Sequence, residues 1–126
     1  MSDEKRHTLS VLVENQSGVL ARIAGLFSGR GFNIASLSVG ETVNPEISRM
    51  TVVVEADAHT LEQVVKQLQK LVVTIKVDDF AGRSIVSSEL LMIKINAKPS
   101  ERNEIMDLLE IFDGKVVDIN HSTMTL

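Results

Sequence analysis

The stretch LSVLVENQSGVLARIAGLFSGRGFNIASLSVGETVNPEISRM, residues 9–50, changes its hydrophobic period twice, and this restricts the chain more than any other feature. Leu9, Val11 and Val13 alternate with Ser10, Leu12 and Glu14, the period of a strand with one buried face. Beyond the loop Asn15-Gln16-Ser17-Gly18 the period lengthens. Val19, Leu20, Ile23, Leu26 and Phe27 then form the apolar stripe of a helix. Gly29-Arg30-Gly31 ends that helix, because glycine takes the positive φ of a helix terminus, and a second strand follows. A strand feeding a helix through a short glycine loop presents unpaired backbone N–H groups to a small anion. Such a geometry binds; it does not by itself catalyse.

The remaining chain continues the pattern. Glu41 to Ile47 is polar, holds Pro45 and reads as a hairpin loop. A third strand is expected over 48–56, where Met50, Val52 and Val54 alternate with Arg49, Thr51 and Val53. A second helix, capped by Thr60, places Leu61, Val64, Val65 and Leu68 on one face. A β-branched run at about 72–78 gives a fourth strand. The order βαββαβ predicts an α+β, ferredoxin-like sandwich, with a four-stranded antiparallel sheet and both helices on one face.

Residues 80–89, with Gly82, Arg83, Ser84, Ser87 and Ser88, read as a linker between a domain over 1–79 and a partial second domain over 90–126. The first pattern then returns. Leu91, Ile93 and Ile95 stand 82 positions after Leu9, Val11 and Val13. Ile105, Leu108 and Leu109 keep the same offset from Ile23, Leu26 and Phe27. Ser100 is the expected N-cap, Gly114 the expected helix end and 115–119 the next strand, before the chain reaches Thr123-Met124-Thr125-Leu126. This is an internal repeat of strand, helix and strand.

Composition removes whole classes of function. A net charge of −4 over 126 residues, with pI near 5.3, argues against nucleic acid. With no cysteine, disulfides and thiolate chemistry are excluded. Ser2-Asp3-Glu4-Lys5-Arg6 is a charged tail unlike a signal peptide, and no apolar run approaches the ~20 residues of a bilayer span; neither membrane nor export is expected, and the cytoplasm is the expected compartment. His7, His59 and His121 lack metal-ligand spacing and read as surface residues. Gly25, Gly29 and Gly31 do not open a helix after a strand, so they form no dinucleotide fingerprint, and Asp78-Asp79 reads as a solvated strand end. No set of titratable side chains with catalytic spacing is visible.

Residues 7–95 resemble the regulatory small subunits of acetolactate synthase (acetohydroxyacid synthase), most specifically through VENQSGVLARIAGLFSGRGFNI, Ser48-Arg49-Met50-Thr51 and QVVKQLQKL. In that family the βαββαβ unit is an ACT domain. The resemblance implies a non-catalytic subunit that activates a separate catalytic subunit and confers feedback inhibition by valine. Thiamine diphosphate, magnesium and FAD are then expected on the catalytic partner, with no cofactor in this chain. The resemblance also implies a homodimer through the ACT domain, with the amino acid bound between two copies. Family members usually continue for a further strand, helix and strand; ending here would leave an unpaired sheet edge and an uncovered apolar face. Either a truncated second domain, the favoured expectation, or completion of the sheet by another chain is therefore expected. An ACT sensor serving a different enzyme or regulator is the alternative.

The positions that match the family's effector site are Asn15, Gly18 and Val19 on one chain, with Asn33 and Ile34 from the other. From the residues alone, Asn15 either offers its amide to a ligand or makes an Asx turn. Gly18 lets a carboxylate approach the helix N-terminus, where Val19 supplies an N–H. Asn33 is either a ligand contact or a turn residue. Val43 and Val73 are expected as exposed apolar positions for docking, and Ser88 stands where relatives commonly carry arginine.

Overall fold

In a computed structural model, residues 5–126 are described. The chain divides into two units between Ile85 and Val86. In the first, strand β1 (Lys5–Glu14) leads into helix α1 (Val19–Gly29), strands β2 (Asn33–Glu41) and β3 (Ile47–Ala56), helix α2 (Ala58–Gln69) and strand β4 (Thr74–Asp79). The sheet order is β2-β3-β1-β4, and each neighbouring pair is antiparallel. This is the expected ferredoxin-like arrangement. Two β-α units place their returning strands on either side of the central pair β1 and β3.

The core lies between the sheet and the helices. Leu9, Val11 and Val13 of β1 and Met50, Val52 and Val54 of β3 are all buried, as their alternation requires. Val19, Ile23 and Phe27 of α1 and Leu61, Val64 and Leu68 of α2 close over them. Phe27 meets Phe32 edge-on, with ring centroids 6.3 Å apart. With so few aromatics, this pair and the aliphatic rows constitute the hydrophobic stabilisation.

Several sequence expectations are corrected. Leu20, placed on the buried stripe of α1, is 48% exposed, and Leu26 is only partly buried. The inward face of α1 is the narrow row Val19, Ile23, Phe27, spaced by four. Thr60 does not cap α2: the cap is Asp57, whose carboxylate accepts the Thr60 backbone N–H at 2.7 Å. Val73 is buried. The turn closed by Thr74 N–H to Leu71 carbonyl points it inward, and its carbonyl accepts the Glu14 N–H at the end of β1. His7 is half-buried, its Nε2 lying 3.1 Å from the Ala56 carbonyl oxygen.

The hydrogen bonds from Thr60 hold the Asp57 carboxyl below its ordinary value of 3.8. A group with a lowered folded pKa stabilises the fold above its unfolded pKa and loses that contribution as pH falls through the folded one. Asp57→Ala is therefore expected to lower the urea midpoint at neutral pH. The gap from the parent should narrow in titrations taken down to about pH 2–3, below the ordinary carboxylate range. A gap that stays constant with pH would assign the loss to something other than the charged cap.

The second unit, Val86–Leu126, contains β5 (Lys94–Asn96), a 3-10 turn at Pro99–Glu101, α3 (Arg102–Ile111), β6 (Asp118–Ile119) and β7 (Thr123–Thr125). Its sheet order is β5-β7-β6, antiparallel throughout. At the 82-residue offset β5, α3 and β6 fall where β1, α1 and β2 stand, and β7, though it comes earlier in the chain than that offset would put it, takes the sheet position of β3 between its two neighbours. The second unit is thus βαββ, one strand more than the sequence pattern suggests. β7 escaped notice because three residues, Thr123-Met124-Thr125, are too short to show a period. Ser100 is not a cap; Glu101 reaches back to accept the Lys98 N–H at 2.9 Å. The positive φ after α3 belongs to Asp113 (53°), not Gly114. A Cβ at Gly114 would stand 2.5 Å from Leu109 Cδ2, the tip of a flexible side chain that can move aside.

Candidate effector site

Asn15 follows the last residue of β1, and its backbone N–H donates to the Glu46 carbonyl at 2.7 Å. Its side-chain amide donates to the Pro45 carbonyl at 2.8 Å and to Glu41 Oε1 at 3.2 Å. Asn15 therefore does something sequence reasoning did not foresee. It staples the β1 end to the β2–β3 hairpin, and its Oδ1 stays free to accept. The hairpin is held rigid from within: Thr42 Oγ1 donates to the Asn44 carbonyl, and Asn44 Oδ1 accepts the Glu46 N–H. Glu14, Asn15, Gln16, Asn44, Pro45 and Glu46 line an open hollow of about 560 Å³, floored by Ile47 and Ile75. The hairpin residues were missed as site residues; the proline-bearing polar loop was the signal, and only the fold shows that it lies against Asn15.

Gly18 has φ +84°, ψ −3° and is the N-cap of α1. An L side chain is strained there, which explains glycine, and nothing lies within 4 Å of where its Cβ would be. The Val19 N–H makes a long bond (3.4 Å) to the Gln16 carbonyl, and the Arg22 N–H donates to Gly18. α1 has no side-chain cap, so the Leu20 and Ala21 N–H groups find no acceptor among the described residues. Gly18 and Val19 do not line the hollow by Asn15; they sit next to it in sequence, at the helix start.

Asn33 and Ile34 are elsewhere. Asn33 pairs with Glu55, which pairs with Arg6, whereas the Asn15 end of the sheet is marked by the pair Glu14 and Ile47. Eight positions of β3 separate the two, about 27 Å at ~3.4 Å per residue. Asn33 Nδ2 donates to Glu55 Oε2 at 3.2 Å, and Arg6 Nε donates to Glu55 Oε1 at 2.9 Å. Ile34 packs against the core. The five candidate residues thus fall into two groups at opposite ends of one sheet, and one copy of the chain does not bring them together.

Among the described residues, no group of three or more His, Cys, Asp or Glu side chains could hold a metal ion, and no helix is long and apolar enough to cross a membrane.

The family models match in two consecutive pieces. Residues 9–76 match the one described as AHAS small subunit-like ACT domain, and residues 88–126 match the small subunit of acetolactate synthase. A probable acetolactate synthase small subunit of Archaeoglobus fulgidus is 50% identical over 121 residues, covering 96% of this chain and 76% of the relative. The chain belongs to the acetolactate synthase small-subunit family. The acetolactate synthase small subunit of Mycobacterium avium is 48% identical over 120 residues, covering 95% and 72%. The crystal structure of the small subunit from Thermotoga maritima superposes with a TM-score of 0.80 at 35% identity, covering 96% of this chain and 76% of that one. The ACT domain of a GTP pyrophosphokinase from Chlorobium tepidum shares the fold alone, with a TM-score of 0.56 at 14% identity, over 69% of this chain and 98% of that one. The chain is thus similar to small subunits across its length, and its first unit has the ACT fold.

Proposed function

We propose that this chain activates a separate acetolactate synthase catalytic subunit and makes that enzyme sensitive to valine. One observation carries the sensing half of the reading: the candidate residues divide between opposite ends of one sheet. A ligand touching both groups must lie between two copies placed head to tail, so ligand occupancy and dimer geometry become one equilibrium. Valine suits what each copy offers. Its carboxylate meets the uncapped start of α1, where Gly18 leaves room. Its ammonium meets Asn15 Oδ1 and the carboxylates of Glu14 and Glu46. Its isopropyl group contributes roughly 1.5–3 kcal/mol on burial, and charge-assisted hydrogen bonds supply the remainder. An affinity between about micromolar and millimolar follows, suited to sensing a metabolite pool.

Regulation is then a population shift. The dimer docks on the catalytic subunit and favours its active arrangement, and valine between two ACT domains favours a less active one. A coupling of about 1–3 kcal/mol gives a five- to 150-fold effect. Thiamine diphosphate, magnesium and FAD belong in this reading to the catalytic partner, in the cytoplasm.

The test is a reconstitution. The purified chain is mixed with an acetolactate synthase catalytic subunit and the activity is read with and without valine. Activation that valine reverses is expected. Activation indifferent to valine would reject the effector site, and a folded dimer that activates nothing would move the chain to the ACT sensors of other enzymes.

A further inference from the structure

An asparagine amide serves a ligand in one of two senses, as donor through Nδ2 or as acceptor through Oδ1, and its neighbours decide which. At Asn15 the neighbours are the Pro45 carbonyl, 2.8 Å from Nδ2, and Glu41 Oε1 at 3.2 Å. Both only accept, so between them they engage the two hydrogens of the amide. At Asn33 the neighbour is Glu55, whose Oε2 accepts from Nδ2 at 3.2 Å. The other oxygen of that carboxylate is held by the Arg6 Nε–H at 2.9 Å, and a guanidinium only donates. Both asparagines therefore turn the same atom, Oδ1, away from their partners.

The two differ in redundancy. Asn15 keeps a backbone acceptor whatever side chain stands at position 41. The Asn33 amide donates, among the described residues, to Glu55 alone. The Glu55 side chain is 36% exposed, so a polar replacement of equal size disturbs the fold little.

We propose that Glu55 is a positioning residue that makes the effector site read an α-ammonium. The inference rests on the valine reading above, in which the ligand touches Asn15 of one copy and Asn33 of the other. Two outward Oδ1 atoms ask the ligand for two donors on one atom, and an ammonium carries three N–H bonds. The 2-oxo acid with valine's carbon skeleton has an acceptor at that position. It meets acceptors on both sides and is rejected, although its carboxylate and isopropyl group are the same. Glu55→Gln should reverse the sense of Asn33 without removing a contact. Arg6 only donates, so it keeps the oxygen of the new amide and leaves the NH2 group facing Asn33. The Asn33 amide then turns Oδ1 inward to accept and Nδ2 outward to the ligand.

Equilibrium dialysis of the full chain against valine and against that 2-oxo acid tests this. The parent should bind valine at least about 100-fold more tightly than the 2-oxo acid. Glu55→Gln should bring that ratio down to about tenfold or less, by weakening valine and strengthening the 2-oxo acid. Glu41→Gln removes the same single charge but leaves the Pro45 carbonyl on Asn15, so its ratio should stay near the parent's. A purely structural Glu55 would weaken both ligands alike. An unchanged ratio in Glu55→Gln, with valine still bound by the parent, would overturn the proposal and leave the valine site standing. An equal drop in Glu41→Gln would also overturn it, because charge and not amide orientation would then set the preference. So would a parent that binds both ligands alike. A parent that binds no valine would overturn the effector site and this proposal together.

Discussion

Gly18→Asp is expected to abolish the valine response while leaving activation of the catalytic subunit in place. The substitution sets a carboxylate at the uncapped start of α1, where the ligand's own carboxylate is proposed to lie, and repulsion replaces a favourable helix-end interaction. The five- to 150-fold range of inhibition should collapse to none at any valine concentration that the parent senses. Strain could imitate this result, because Gly18 has φ +84°. Gly18→Asn separates the two causes. Asparagine tolerates the left-handed region, it is almost the same size as aspartate, and nothing lies within 4 Å of the new Cβ. The asparagine variant should fold, activate and keep a weakened valine response. Normal inhibition of the aspartate variant would remove Gly18 from the site. Failure of both variants to activate the partner would show that the α1 start serves the fold or docking instead.

The largest stability effect is expected at Phe27. The side chain is 1% exposed, and it packs edge-on against Phe32 in a core with no Trp or Tyr to compensate. Phe27→Ala should cost about 3–5 kcal/mol, the transfer loss plus the cavity left behind. Against a total of roughly 5–15 kcal/mol for a domain, that is a large share of the margin and lowers Tm by about 15 °C or more. Leu20→Ala on the same helix is the informative comparison. The hydrophobic pattern puts Leu20 and Phe27 on one stripe, whereas the fold leaves Leu20 half in solvent, so its loss should fall near ±0.5 kcal/mol. Thermal melts of the two variants decide between pattern and structure. Equal losses would mean that α1 turns both residues into the core.

The glycines show where sequence reasoning reaches. Gly31 has positive φ, as its place at the end of a helix implies, whereas Gly18 has it at a helix start, where the cap residue is ordinarily extended. Gly114 looks the same in sequence but has no positive φ, because Asp113 takes that conformation after α3. Likewise, Asp57 and Thr60 are both cap-forming residue types, and the actual start of α2 selects the first, which is also the stronger by type.

The sequence by itself determined the order of elements in the first unit, the inward rows of β1 and β3, and the repeat at 82 residues. Those are properties of period, and period survives in one dimension because each side chain's face is set by its own backbone. The family, too, was legible, from long runs that resemble its members. Only the tertiary structure decided the remainder. It set Asn33 and Ile34 at the far end of the sheet from Asn15, since register along β3 is a pairing between distant segments. It drew the Pro45 hairpin against Asn15, and it turned Val73 inward and Leu20 outward. It added β7, whose three residues gain their strand identity from two neighbours rather than from any pattern of their own. Where Asn33, Ile34 and the Pro45 hairpin are concerned, the deciding contact joins residues far apart in the chain, and no local preference encodes it.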